Sequence, residues 1–219
     1  LYIAWFFKID LLYNIDKSKA VDITKDIIYK NTKDKPLPMD IYKPAGITKG
    51  TKLPAIIFVH GEGTERIIGN AKEWSLYRSY GKFAASNNFI GVTFNRSRMN
   101  LNFKNAPKYI KCLISYYGLH DISTRIKAFN KEYEDYYPEN YLPGDFADIP
   151  PLLIVKAEKD KVKGVNKSID KLISIAKARN LKFEYIVHST GKHAFDALND
   201  NDETRVVIDK TLQFIKKNI

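Results

Sequence analysis

Apolar residues in this chain fall into two patterns: short unbroken runs, and longer stretches spaced at helical intervals. Ala55-Ile56-Ile57-Phe58-Val59 and Leu152-Leu153-Ile154-Val155 are runs of the first kind, the mark of strands covered on both faces. Phe89 to Phe94, Ile110 to Tyr117 and Phe183 to Val187 read the same way. Two opening strands, Ile23 to Lys30 and Met39 to Tyr42, flank the turn-rich Asn31-Thr32-Lys33-Asp34-Lys35-Pro36. Helical spacing predicts helices over Trp74 to Ser86, Val165 to Arg179 and Thr204 to Lys217. Strands alternating with helices of this length predict an α/β protein, a doubly wound, mostly parallel sheet flanked by helices. One domain is expected over residues 23–219, with a loop-rich insertion at about 119–149. Residues 1–22 form an N-terminal apolar segment, either a packed arm or a trimmed anchor.

Composition narrows the picture only a little. A net charge of +11 and a pI near 9.4 raise the question of an anionic partner. The positive charge is scattered, and its densest stretch, Lys161 to Lys182, reads as the solvated face of an amphipathic helix. No nucleic-acid partner is expected. The lone cysteine, Cys112, excludes an internal disulfide and reads as a small core residue of a buried strand. No run of ~20 apolar residues is present, so no stable membrane insertion is expected. The compartment stays open: cytoplasmic is the plain reading, and secretion follows if Leu1 to Phe7 is the remainder of a signal or anchor. There is no Cys/His ligand spacing and no Gly-x-Gly-x-x-Gly, so neither metal nor organic cofactor is expected.

The chemistry concentrates at three places. The run Ala55 to Val59 stops at His60-Gly61-Glu62-Gly63, a glycine turn whose main-chain N–H groups are free to face a ligand. Asp160 follows the run Leu152 to Val155, and Gly191-Lys192-His193-Ala194-Phe195-Asp196 precedes the closing helix. With Met39-Asp40-Ile41-Tyr42-Lys43-Pro44 and Pro150-Pro151, these motifs resemble the α/β-hydrolase superfamily, in particular its dienelactone-hydrolase-like and small-esterase branch. The resemblance covers most of the chain from about residue 23 onward, and the order of the motifs is more specific than any one of them.

The resemblance assigns roles. His193 matches the general base, whose ordinary pKa of ~6.5 suits proton exchange near neutrality; His188 is the competitor, with His60 and His120 behind it. Asp160 matches the acid that orients the histidine, with Glu158 as the alternative. Gly61, Glu62 and Gly63 match the oxyanion turn, where His60 is expected to brace the backbone. The aromatic, acidic stretch Tyr133 to Tyr141 is read either as a cover over the site or as a packed surface loop.

One part of the pattern is missing. The fold presents its nucleophile in Gly-x-Ser-x-Gly on a strand-to-helix turn, and no such pentapeptide centred on Ser or Cys occurs in the 219 residues. Gly46-Ile47-Thr48-Lys49-Gly50 has the spacing but precedes the oxyanion strand and reads as a loop. Ser97 and Ser115 lack flanking glycines. Only about fifteen residues separate Phe94 from Ile110, and Pro107 interrupts any helix there. The family places on the order of 40 residues in this interval, judged by element lengths. The expectation is therefore a segment omitted between about Arg98 and Pro107, with the join near Met99 to Phe103; a chain that lacks the segment is the alternative. What the resemblance implies is a hydrolase, most simply a serine-type carboxylic ester hydrolase acting on a small or medium ester-like molecule. A peptidase, a thioesterase, a lactone hydrolase with Cys as nucleophile, or a non-catalytic homologue used for binding are the alternatives. Oligomeric state is left open.

Overall fold

The computed structural model describes residues 8–33, 35–61, 70–95, 108–120 and 149–219. The chain divides into two compact units, Leu1–Met99 and Asn100–Ile219. Their boundary falls within the interval where the sequence departs from the family pattern.

The first unit holds four strands in the order β1-β2-β4-β3: β1 (Val21–Asn31), β2 (Pro36–Pro44), β3 (Ala55–Phe58) and β4 (Ile90–Phe94). β1 and β2 form an antiparallel hairpin, β2 pairs antiparallel with β4, and β3 pairs parallel with β4. Helix α1 (Ser75–Ser86) lies between β3 and β4 in the chain, the helical crossover that a parallel pair requires. Two glycines let it settle closely on the sheet. A Cβ at Gly81 would stand 2.4 Å from the Tyr42 ring, and one at Gly91 would stand 2.7 Å from the Gly81 carbonyl. Leu76, Phe83, Ala84 and Ala85 of α1 are buried, together with Leu37 and Tyr42 of β2. The described part of the N-terminal segment docks on α1: Leu11 is buried and donates its N–H to Ser79 Oγ at 2.8 Å, and Tyr13 meets Phe83 edge-on.

A cage of charge lies under the hairpin. The register between β1 and β2 slips after Thr24, and in that bulge Asp26 takes a left-handed conformation (φ 57°). There its N–H donates to Asp40 Oδ1 at 2.9 Å. Lys72, in a single 3-10 turn (Ala71–Glu73), is only 2% exposed. Its Nζ lies 2.5 Å from Glu73 Oε1, 2.9 Å from Asp26 Oδ1 and 3.0 Å from Asp40 Oδ1. Burial alone would pull the ammonium pKa down, but the bonds to Glu73, Asp26 and Asp40 outweigh it and hold Lys72 above the ordinary lysine value.

The second unit is an all-parallel sheet, β5-β6-β7: β5 (Leu113–Tyr116), β6 (Leu152–Ala157) and β7 (Phe183–His188). Helices α2 (Val165–Ala178), α3 (Phe195–Leu198) and α4 (Asp202–Lys217) follow the strands. The period of two along β6 explains its unbroken apolar run. Leu153, Val155 and Ala157 pack with Phe195, Val207 and Phe214, whereas Ile154 packs with Val165 and Ile169 of α2. Both faces are covered along Leu152 to Val155, and the first charged side chain, Lys156, reaches Asp170 near the strand's end. Cys112 packs at the edge of this core, and burial pushes its thiol pKa up, as befits a packing residue.

Predicted and observed elements agree to within about three residues. The antiparallel β2–β4 pairing is an addition that the sequence reading did not resolve. The omitted-segment join, Leu1 to Phe7 and most of the 119–149 insertion lie outside the described residues.

Removing the ammonium from its cage leaves Asp40, which is fully buried, without a countercharge. Lys72→Ala is therefore expected to lower unfolding stability by about 3–5 kcal/mol, to be checked by urea denaturation.

Candidate active site

The second unit brings two of the predicted residues into contact. β6 and β7 run parallel in register to their ends, with Ala157 opposite His188. Main-chain bonds continue past the strands: Glu158 N–H donates to His188 O at 3.0 Å, and Lys159 N–H donates to Gly191 O at 2.8 Å. The chain turns tightly after β6, with Asp160 N–H on Ala157 O at 3.1 Å. The Asp160 side chain is fully buried, and its two oxygens have separate tasks. Oδ1 accepts from Val162 N–H at 2.8 Å, and Oδ2 lies 2.8 Å from His193 Nδ1.

A carboxylate only accepts, so His193 Nδ1 carries the hydrogen and Nε2 keeps its lone pair. The imidazole as a whole is 44% exposed. Its inner side rests against the Tyr117 ring, at 4.8 Å between centroids. Tyr117, held in a left-handed conformation (φ 38°) just after β5, donates its hydroxyl to Asp196 Oδ1 at 2.7 Å. Phe195 meets the same tyrosine edge-on. Ala194, directly after His193, is also left-handed (φ 59°) and starts α3.

The alternatives occupy other positions. Glu158 turns its carboxylate toward Lys156, 3.5 Å away. His188 is wholly buried, with Nε2 2.8 Å from Thr204 Oγ1. Burial pulls its pKa down, partly offset by Glu203. His60 lies in the first unit, 3% exposed, and Nδ1 donates to Gly61 O at 3.1 Å. Gly61 is exposed and a Cβ there would meet open space. Glu62 and Gly63 lie outside the described residues, as does Tyr133 to Tyr141.

Sequence reading missed Tyr117 as the support of the imidazole and Asp196 as its buried anchor. Their partners lie 79 residues apart in the chain, and no spacing signals such a pair. It also passed over a Ser115–His120 contact of 2.9 Å, for which Gly118 makes the room. Burial pushes the His120 pKa down to about 4, so the ring is neutral but weakly basic. Among the described residues one carboxylate trio, Asp26, Asp40 and Glu73, comes close enough to hold a metal ion, and the Lys72 ammonium stands within it. No helix of the described residues is long and apolar enough to cross a membrane.

The arrangement of strands and helices is that of the α/β-hydrolase fold. Esterase 2 of Thermogutta terrifontis, solved phosphoramylated by tabun, superposes with a TM-score of 0.62 at 14% identity, over 89% of this chain and 94% of that one. Esterase B from Lactobacillus rhamnosis gives 0.57 at 13% identity, over 90% and 84%. The acylaminoacyl peptidase of Pyrococcus horikoshii gives 0.62 at 14% identity, over 92% of this chain and 42% of that longer one. At such identities the likeness concerns the fold alone. No family model matches the sequence, and no curated protein matches it significantly.

Tyr117→Phe keeps the ring beside His193 but takes the hydroxyl hydrogen from buried Asp196. It is expected to cost about 1–3 kcal/mol of stability, measured by chemical denaturation, with the α/β circular-dichroism signature unchanged.

Proposed function

We propose that the protein is a hydrolase that cleaves small or medium carboxylic esters by acyl transfer. The observation that supports this reading most directly is the His193–Asp160 pair: a buried carboxylate on Nδ1 of a partly exposed imidazole. In this scheme a nucleophile hydroxyl attacks the acyl carbon while Nε2 of His193 takes its proton. The same proton then passes to the departing alkoxide, and an acyl-enzyme remains. Water attacks the acyl carbon next, again giving its proton to His193, and the acid leaves with the nucleophile restored. Asp160 keeps the imidazole in the Nδ1–H tautomer and stabilises the imidazolium between these steps. The amides of the Gly61, Glu62, Gly63 turn are assigned to the oxyanion by the resemblance to the family.

The nucleophile is assigned to a segment between about Arg98 and Pro107 that the 219-residue sequence does not contain. Two structural observations support that assignment. Among the described residues β3 stands at one end of the first sheet and β5 at one end of the second. Each is an edge of the kind proteins normally pair or protect.

The test combines the gene, the mass and the assay. Reading the gene across Arg98 to Pro107 is expected to reveal a Ser- or Cys-centred elbow, with an intact mass above 25.2 kDa. On short-chain p-nitrophenyl esters that protein is expected to turn over, and Asp160→Asn to lower kcat by up to about 10⁴-fold. Faster cleavage of an amide or thioester panel would move the bond type within the same machinery. A mass of 25.2 kDa together with no turnover of any acyl substrate would leave a binding homologue in place of an enzyme.

A further inference from the structure

We infer that Glu203 is a positioning residue: its carboxylate clamps the turn after β7 and through it delivers the His193 imidazole to Asp160. This inference rests on the hydrolytic role proposed for His193. Only Ser189, Thr190, Gly191 and Lys192 separate the end of β7 from His193. A polar loop of this kind, exposed at Ser189, Thr190, Lys192 and His193, has little apolar burial to hold it still. Glu203 supplies what packing does not. Its Oε1 accepts the Ser189 N–H at 2.6 Å, and its Oε2 accepts the Ser189 hydroxyl at 3.0 Å. Oε2 also accepts the Thr190 N–H at 3.2 Å and the Thr190 hydroxyl at 2.9 Å. His188 Nδ1 stands 3.0 Å from the same oxygen.

Ordinary helix capping does not account for this carboxylate. The cap of α4 is Asn201, whose side chain accepts from Thr204 N–H at 2.9 Å. Asp202, the other acid of the first turn, faces Arg205 of its own helix. Glu203 instead reaches out of the helix to a loop 13 and 14 residues earlier in the chain. Burial pushes its pKa up, but the bonds from Ser189 and Thr190 outweigh that and hold the carboxyl down to about 2. It is therefore an anion at every pH at which a histidine base works.

The remaining fastenings of the loop complete a path from Glu203 to the imidazole. Asn199 Oδ1 accepts Lys192 N–H at 3.1 Å, Asn199 Nδ2 donates to Thr190 O at 3.3 Å, and Asn201 Nδ2 donates to Thr190 Oγ1 at 3.2 Å. Gly191 presses on the His188 ring so closely that a Cβ would fall 2.7 Å from it. Its carbonyl is fixed by Lys159 N–H, next to Asp160. The loop is thus tied on one side to the acid's turn and on the other to α4. Glu203 makes the largest number of the side-chain bonds on the α4 side.

The readout is the ring tautomer of His193, followed by long-range ¹H–¹⁵N correlation at about pH 9, well above the ~6.5 of an ordinary imidazole. Wild type is expected to show the hydrogen on Nδ1, where Asp160 takes it, with the signal assigned by its loss in His193→Gln. Glu203→Ala is expected to lose this single tautomer and give a mixture, with Glu203→Gln intermediate because one acceptor oxygen is kept. The amide of Ile154, at the centre of β6, is expected to exchange at the wild-type rate in both variants. An Nδ1–H tautomer that persists in both variants would overturn the inference, as would a loss accompanied by equal loosening of Ile154. If Glu203→Ala does not fold, the Gln variant alone decides by the same criteria. Failure of the hydrolytic reading looks different: wild type would turn over no acyl substrate while its His193 keeps the hydrogen on Nδ1 beside Asp160.

Discussion

Two main-chain hydrogen bonds beyond the ends of β6 and β7 govern the candidate site. Parallel pairing carries both strands to the same rim, and the bonds Glu158 N–H to His188 O and Lys159 N–H to Gly191 O extend it into the loops. Once those are made, Asp160 has little freedom left, because its own N–H returns to Ala157 and its Oδ1 is taken by Val162. The second oxygen can then point only where the neighbouring loop passes. The backbone sets one side of the separation between the two side chains, and the Glu203 carboxylate holds the histidine loop on the other. This is why an exposed histidine can keep a bond to a buried acid in competition with water, since the carboxylate is preorganised and shielded.

Much of this was legible in the sequence because buried strands and covering helices leave periodic traces. The run Leu152 to Val155 could be read as a strand covered on both faces, since any polar residue there would be unsatisfied. Proximity of Asp160 and His193 was implied by the resemblance to the α/β-hydrolase superfamily, not by any periodicity of the chain. The supports of that pair were not legible. Tyr117 looks like any strand-end aromatic until its hydroxyl is seen on Asp196. Nothing in the sequence marks Lys72 for burial, and the contact with Asp26 depends on a bulge in β1. Such long-range polar contacts have no period, so composition hides them.

The two units solve the problem of burying polar groups differently. In the first, an ammonium and three carboxylates neutralise one another beneath a hairpin, with Asp40 completely enclosed. In the second, charge is kept at the rim and the sheet interior stays apolar. The fold is shared with esterases at only 13–14% identity. Topology tolerates almost any apolar residue of suitable size, so it outlasts sequence. Reactive groups have no such latitude, which is why fold alone leaves the substrate unassigned.

Ala194 carries a consequence of its own. An alanine held in the left-handed region costs roughly 1 kcal/mol or more relative to glycine. Evolutionary drift toward glycine would relieve that tension, yet the swivel beside the imidazole would gain freedom in the unfolded and the native chain alike. Retaining a methyl group there trades comfort for stiffness, and makes this hinge a place where greater stability and sharper aim need not coincide.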